Sequence, residues 1–160
     1  MNGPLKNLLV IDLTRVLVGP YCTMILSDLG ARVIKIEAPE VGDDSRKFGP
    51  FIEDYSAYFM SLNRGKESIA LNLKNSDDTK IFDKILSKAD ILVENFKPGT
   101  LERWGYGWKE VNKKYPKLIY ASASGFGQTG PLRELPAYDM VVQGMGGLMS
   151  VTGQPDSKPT

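Results

Sequence analysis

The segment Val93-Glu94-Asn95-Phe96-Lys97-Pro98-Gly99-Thr100-Leu101-Glu102-Arg103 offers an amide, an aromatic face and two cations directly after a short β-forming run. That set suits a nucleotide: a base or a pantetheine chain lies on Phe96 while Lys97 or Arg103 neutralises phosphate. Spacing alone equally fits Asn95 capping a turn, Phe96 in the core and both cations in water. Arg15 and Arg46 pose the same choice between ligand and solvated charge. Gly125-Phe126-Gly127-Gln128-Thr129-Gly130 spells the glycine pattern of a dinucleotide-binding turn. That turn needs its third glycine in the opening of a helix, whereas Pro131 and Pro136 follow here. A glycine-rich turn whose backbone can approach a ligand is expected instead. Asp139 heads an apolar, glycine-rich run, where a carboxylate either meets a helix dipole or positions a substrate or a proton.

The residue inventory narrows this chemistry. The 160 residues include no histidine and a single cysteine, Cys22. This removes Ser-His-Asp and Cys-His nucleophile pairs, two-histidine zinc motifs, thiolate clusters and intrachain disulfides. Carboxylates, Lys, Arg, Tyr, hydroxyls and backbone groups are what is left.

These groups need a scaffold, and the hydrophobic pattern supplies one. Five short β-rich runs, at residues 8–13, 33–36, 69–73, 91–93 and 118–121, read as strands. The first is apolar without alternation, as a strand covered on both faces should be. A helix is expected between the first two, with Pro20 in its first turn and Gly30 at its end. Its inner face is expected to be Tyr21, Cys22, Ile25, Leu26 and Leu29. A second helix is capped by Ser76 and presents Ile81, Phe82, Ile85 and Leu86. Others run over residues 108–114 and 138–149. The alternation predicts an α/β fold: a Rossmann-like, mostly parallel sheet with flanking helices. The long connection over residues 38–55, rich in Gly and Pro, is expected to be functional.

Composition agrees with a globular chain: 42% of residues are apolar and 24% charged. A net charge of +1 provides no global field for nucleic acid or an acidic membrane. No apolar run has the length of a membrane span, and the first residues, Met1-Asn2-Gly3-Pro4-Leu5-Lys6, lack a signal-peptide layout. A cytoplasmic protein is expected.

The order of the sequence blocks resembles the family III CoA-transferases, the carnitine dehydratase and bile-acid-inducible protein F family. The blocks are Val10-Ile11-Asp12-Leu13-Thr14 with Gly19-Pro20, then Leu29-Gly30-Ala31-Arg32-Val33-Ile34-Lys35-Ile36-Glu37 and Gly42-Asp43-Asp44-Ser45-Arg46. Asn63-Arg64-Gly65-Lys66-Glu67-Ser68, Leu71-Asn72-Leu73-Lys74 and Glu94-Asn95-Phe96-Lys97-Pro98-Gly99 follow. Gly125-Phe126-Gly127-Gln128-Thr129-Gly130-Pro131 and Ala137-Tyr138-Asp139 complete the series. Each block is weak alone; their order and spacing carry the resemblance.

The resemblance implies that residues 1–160 form the N-terminal, incomplete portion of a Rossmann-like large domain in a longer, interlocked homodimer. It implies CoA transfer from formyl-, acetyl- or succinyl-CoA to a small carboxylic or dicarboxylic acid such as oxalate. No metal and no permanently bound cofactor are implied, the CoA thioester being a substrate. Leu17 and Val18 resemble the backbone that lies against the thioester. Leu71, Asn72, Leu73, Lys74, Asn95, Phe96 and Arg103 resemble CoA-binding positions, and Pro136, Ala137, Tyr138 and Asp139 a segment lining the same cleft. The family's nucleophilic aspartate is expected just beyond Thr160. This sequence departs from some members in having Leu17 where they carry Gln and Ala38 where they carry Arg. Racemase relatives place histidine before the aspartate matching Asp139, and here Tyr138 stands there. The resemblance leaves, as alternatives, a truncated, inactive CoA-binding fragment or a racemase relative.

Overall fold

A computed structural model describes residues 3–158 of the chain. Met1 and Asn2 of the N-terminal run, and Pro159 and Thr160 at the end of the stretch opened by Thr152-Gly153, lie outside the described residues. The chain forms two compact units, one up to Ala123 and one from Ser124 onward.

The first unit runs β1 (Leu9–Asp12), α1 (Val18–Asp28), β2 (Arg32–Glu37), a 3-10 turn (Asp44–Lys47), β3 (Phe51–Ile52), β4 (Tyr55–Ser56) and α2 (Ala57–Asn63). It continues with β5 (Glu67–Ala70), α3 (Ser76–Leu86), β6 (Ile91–Glu94), α4 (Thr100–Arg103), α5 (Trp108–Lys114) and β7 (Ile119–Ser122). Every expected apolar run contributes a strand. The order is β5-β2-β1-β6-β7 and all pairings are parallel. The chain first winds outward to β5, then returns past β1 to add β6 and β7. The carboxyl ends of β1 and β6 therefore flank the point where the winding reverses, where open sheets of this type leave a crevice.

One face of the sheet packs Ile11, Leu13, Ile36 and Leu92 against Phe82 and Leu86 of α3, with Leu101 and Val111 from the two helices that follow. The other face gathers Val10, Ala31, Val33 and Val93, with Leu26 of α1 partly buried against them. Both faces are covered at the central strands β1, β2 and β6, which is why these read as largely apolar runs, whereas the edge strands β5 and β7 are mostly exposed or half-buried.

Three local expectations are corrected. Helix α1 buries Gly19, Pro20, Thr23, Met24 and Ser27, while Tyr21, Cys22, Ile25 and Leu29 are exposed. Its small, hydroxyl-bearing stripe faces inward because it meets a carboxylate at the end of β1: Thr23 Oγ1 donates to Asp12 Oδ2 (2.6 Å). Gly19 lies so close to Thr14 that a Cβ there would overlap its side chain. Strand β5 ends at Ala70; the Leu71 amide still donates to the Glu37 carbonyl (2.9 Å), and the chain then leaves the sheet, turning at residues 73–74. The cap of α3 is Asn75, whose side chain accepts from the amides of Asp77 and Asp78, and Ser76 is the first helical residue. Asn75 holds the extended backbone that an N-cap requires.

The second unit contains turns through residues 124–137, α6 (Asp139–Met145) and a 3-10 turn (Leu148–Val151). No helix opens at Gly130, as the prolines require. Tyr138 is the N-cap of α6, and the helix expected to reach residue 149 stops at Met145, before Gly146 and a left-handed Gly147. Glycine destabilises a helix interior, and two in succession end this one.

Replacing Asn75 with Ala should lower unfolding free energy by about 1 kcal/mol, whereas Ser76→Ala should change it by less than about 0.5 kcal/mol. Chemical denaturation of the two variants checks the assignment.

Candidate functional site

Charged residues occupy the carboxyl edge of the sheet. Asp12 ends β1 wholly buried, and its four donors saturate it: Thr14 N (2.8 Å) and Thr14 Oγ1 (2.5 Å) on Oδ1, Thr23 Oγ1 and Lys66 Nζ (3.0 Å) on Oδ2. Lys66 also donates to Asn63 Oδ1 (2.8 Å) and the Pro20 carbonyl (3.0 Å). Burial lowers its pKa from the ordinary lysine value, against the opposing pull of Asp12. Lys35, in the middle of β2, is 1% exposed; its ammonium donates to the Thr14 carbonyl (2.7 Å) and pairs with Asp43 Oδ2 (2.9 Å). Burial alone would raise the Asp43 pKa, but the Lys35 ammonium and the Ser45 donors hold it below the usual carboxylate range.

Glu37 closes the set. It receives Arg46 through both guanidinium contacts (2.7 Å each), Ser68 Oγ (2.7 Å) and the Asp43 amide (3.0 Å). The Arg46 guanidinium also lies 3.8 Å from the Phe59 ring centroid. Arg46 is thus neither a ligand nor a free surface charge: it ties the connection after β2 back onto the strand. Among the described residues, no group of three or more Asp, Glu, His or Cys is placed to hold a metal ion.

This network converges on the turn between β1 and α1. Val16 has φ +69°, a conformation that costs a β-branched residue about 1–3 kcal/mol and persists only where its surroundings over-determine it. They do so here. The Thr14 amide is held by Asp12 and the Thr14 carbonyl by Lys35. The Arg15 amide donates to Asn95 Oδ1 and the Arg15 carbonyl accepts from Asn95 Nδ2, both at 2.8 Å. The Val16 amide donates to Asp43 Oδ1 (3.1 Å). Leu17 and Val18 follow, both exposed, and the N-cap position of α1 has no side-chain cap.

Beside this turn a cleft of about 670 Å³ opens at the carboxyl ends of the strands. It is lined by Leu13 and Thr14 after β1, Ala38 and Pro39 after β2, Leu71 to Lys74 after β5, and Phe96 and Trp104 after β6. Phe96 meets Trp104 edge-to-face (5.4 Å between centroids), and Lys74 Nζ lies 5.8 Å from the Trp104 ring. Leu71 and Leu73 are buried, and Asn72 and Lys74 exposed.

Of the residues singled out in the sequence, Leu71, Asn72, Leu73, Lys74 and Phe96 therefore share one cleft. Asn95 stands at the end of β6 with its amide committed to Arg15, and Arg15 itself pairs with Asp44 (2.8 Å). Arg103 is exposed on α4, touching Thr100 Oγ1 (3.0 Å), and does not line the cleft. Pro136, Ala137, Tyr138 and Asp139 belong to the second unit, where Asp139 accepts from Gln143 Nε2 (2.6 Å). Sequence reasoning missed Asp12, Lys35, Glu37, Asp43, Lys66 and Trp104. For Asp12, Lys35 and Glu37 the available signal was a charge in an apolar strand, since such a group is stable only when paired; Asp43, Lys66 and Trp104 lie outside the strands and carried no such signal. Glu94 is a further buried carboxylate: burial raises its pKa although Ser122 and the Phe96 amide donate to it.

Burial by itself pushes Glu37 up, yet Arg46, Ser68 and the Asp43 amide outweigh burial and bring its pKa down from 4.5 to about 2. A depressed carboxylate contributes stability that is present above pH 4.5 and lost as pH falls towards 2. Arg46→Met should therefore cost about 1.5–3 kcal/mol at neutral pH, with the deficit shrinking across that window. Denaturant titrations at pH 7, 4 and 3, by a method reporting ΔG on wild type and variant, check the sign.

Residues 5–160 match the family described as CoA-transferase family III. The acetyl-CoA:oxalate CoA-transferase of Acetobacter aceti is 59% identical over 99% of this chain and 41% of its own length. The human succinyl-CoA:glutarate CoA-transferase is 45% identical over 98% of the chain and 36% of its own. The crystal structure of a CAIB/BAIF family protein from Brucella suis superposes with a TM-score of 0.92, at 43% identity, over 100% of this chain and 43% of that one. The chain spans about two-fifths of the length of these relatives. With the family's model matched over residues 5–160 of this chain, and a parallel sheet and reversal-point cleft in place, the chain belongs to CoA-transferase family III.

Proposed function

We propose that the protein carrying this chain transfers CoA from an acyl-CoA (formyl-, acetyl- or succinyl-CoA) to a small carboxylic or dicarboxylic acid. The carrying observation is the cleft: a half-apolar groove at the reversal point of a parallel sheet, with an aromatic wall of Phe96 and Trp104 and a lysine at its rim. Such a groove takes a nucleotide and its pantetheine arm. Leu71 and Leu73 form its apolar floor, while Asn72 and Lys74 meet the polar groups of CoA. Phe96 packs on the ligand, and Arg103, free at the surface apart from Thr100, reaches a phosphate. By the family resemblance we also assign Pro136, Ala137, Tyr138 and Asp139 to substrate binding. The 59% identity to an acetyl-CoA:oxalate enzyme favours acetyl-CoA and oxalate as the pair.

In this reading a carboxylate nucleophile, expected beyond Thr160, attacks the thioester carbonyl and the C–S bond breaks, leaving an acyl anhydride and CoA thiolate. The thiolate attacks the aspartyl carbonyl, expels the donor acid and forms an enzyme–CoA thioester, from which the acceptor carboxylate takes CoA in the reverse sequence of bond changes. The backbone at Leu17 and Val18 lies against the thioester, where N–H groups stabilise the oxyanions. CoA passes through as a substrate. We further propose a cytoplasmic homodimer, for which the exposed stripe of Tyr21, Cys22, Ile25 and Leu29 on α1 provides apolar surface to cover. Among the described residues no helix is long and apolar enough to cross a membrane.

Assaying the full-length protein with formyl-, acetyl- and succinyl-CoA against oxalate, glutarate and other small acids should reveal transfer, and no transfer in any pair overturns the proposal. Arg103→Ala should weaken CoA binding about ten- to a hundredfold, the loss of a charge-assisted hydrogen bond. Lys at this position should recover part of the affinity, and the salt dependence should shrink in the Ala variant. Calorimetric titration at two salt concentrations decides, because a solvated Arg103 predicts unchanged affinity.

A further inference from the structure

We propose that Asn95, Asp43 and Lys35 are positioning residues for transfer: they hold residues 14–16, with Val16 left-handed, so that the turn presents Leu17 and Val18 to the thioester. The inference rests on the thioester-facing reading of that turn. Its structural content is independent of it: polar side chains from three separate segments take the backbone groups of a single strained turn.

The three act differently. Asn95 grips Arg15 at both its amide and its carbonyl, 2.8 Å each, so the peptide planes on either side of Arg15 are fixed to the end of β6. Asp43 reaches across from the connection after β2; its Oδ1 accepts from Val16 and from Ser45, while Oδ2 pairs with Lys35. Lys35 in turn holds the Thr14 carbonyl, so its one ammonium sets both the start of the turn and the orientation of the carboxylate that ends it. A valine released from these contacts would relax out of the left-handed region, since its branched side chain is disfavoured there. The peptide joining Val16 to Leu17 would rotate with it. Every group that follows, including the first amides of α1, would then point elsewhere.

Asn95 separates this role from a contact role. Its carbonyl oxygen and its amide nitrogen are each engaged by Arg15, and its replacement leaves no buried charge behind, unlike replacement of Lys35 or Asp43. A residue that binds CoA directly affects affinity; one that aims the turn affects turnover.

The test uses the full-length protein and three readouts: steady-state kcat, calorimetric affinity for free CoA, and amide hydrogen exchange over residues 15–18. Asn95→Ala should lower kcat about tenfold or more, since misplacing a reacting geometry by an ångström costs orders of magnitude. CoA affinity should stay within about twofold, and exchange of residues 15–18 should quicken. In the Val16→Gly background, where the left-handed conformation is unstrained, Asn95→Ala should cost less in kcat than it does beside valine. An equal or larger loss there overturns the link to Val16. Weakened CoA affinity with kcat retained shows that Asn95 touches CoA instead. Unchanged exchange shows that the clamp does not hold the turn, and a lowered melting temperature with kcat and affinity intact reduces Asn95 to a structural role. An inactive wild type overturns the transferase reading itself, while exchange still decides whether Asn95 holds the turn.

Discussion

The ammonium of Lys35 has no access to water, and most of the architecture at the sheet's carboxyl edge follows from that. A lone buried charge is so costly that it must be matched by a counter-charge and by hydrogen-bond acceptors. Asp43 and the Thr14 carbonyl supply them at 2.9 Å and 2.7 Å. To deliver Asp43, the connection after β2 must fold back over the sheet end, and Glu37 and Arg46 hold it there. To deliver the Thr14 carbonyl, the chain must turn sharply after β1. The cleft is what remains between these two returning segments and the turns after β5 and β6.

The same constraint explains why α1 carries its apolar residues outward. Asp12 requires donors from the layer above it, so the inward side of α1 carries Gly19, Thr23 and Ser27 beside Pro20 and Met24, its only large apolar side chain among the fully buried ones. Small residues let the helix approach closely, and Thr23 supplies a hydroxyl. Tyr21, Cys22, Ile25 and Leu29 are left on the opposite side. Amphipathicity normally identifies a helix's buried face by its apolar stripe, and here a buried carboxylate reverses the assignment.

The fold was legible where its cause is local. Central strands covered on both faces are mostly apolar, so the runs around Val10, Val33 and Ile91 announce themselves, and prolines marked the turn at Gly125 to Gly130; the glycine pair Gly146-Gly147, which the expected helix ran through, ends it at Met145 instead. Of the candidate cleft, Phe96 was legible as an aromatic beside polar groups after a strand end, whereas residues 71–74, read in part as strand, were singled out only through the family resemblance. The clamp was not. Asn95 is separated from Arg15 by 80 positions and Lys66 from Asp12 by 54, and no periodicity connects residues so far apart. The end of β5 was misplaced because Leu71 and Leu73 are buried by turning inward past the sheet, and burial has the same apolar signature in a turn as in a strand.

These features divide the molecule's work between two kinds of contact. The candidate cleft is walled in part by an aromatic pair, two leucines and an exposed lysine and asparagine, groups whose contributions are broad and adjust with small movements. The turn before α1 is held instead by directional hydrogen bonds to backbone atoms, charge-assisted from Lys35 and Asp43 and neutral from Asn95. Apolar packing tolerates displacement, whereas a hydrogen-bonded peptide plane defines an orientation. In the function proposed above, affinity for a long ligand and orientation of a reacting carbonyl would thus depend on different residues in this chain. In that proposal, variation along residues 71–74 would retune binding without disturbing the turn. Changes at Lys35 or Asp43 act on the turn and on the stability of the whole edge together, because a single ion pair serves both.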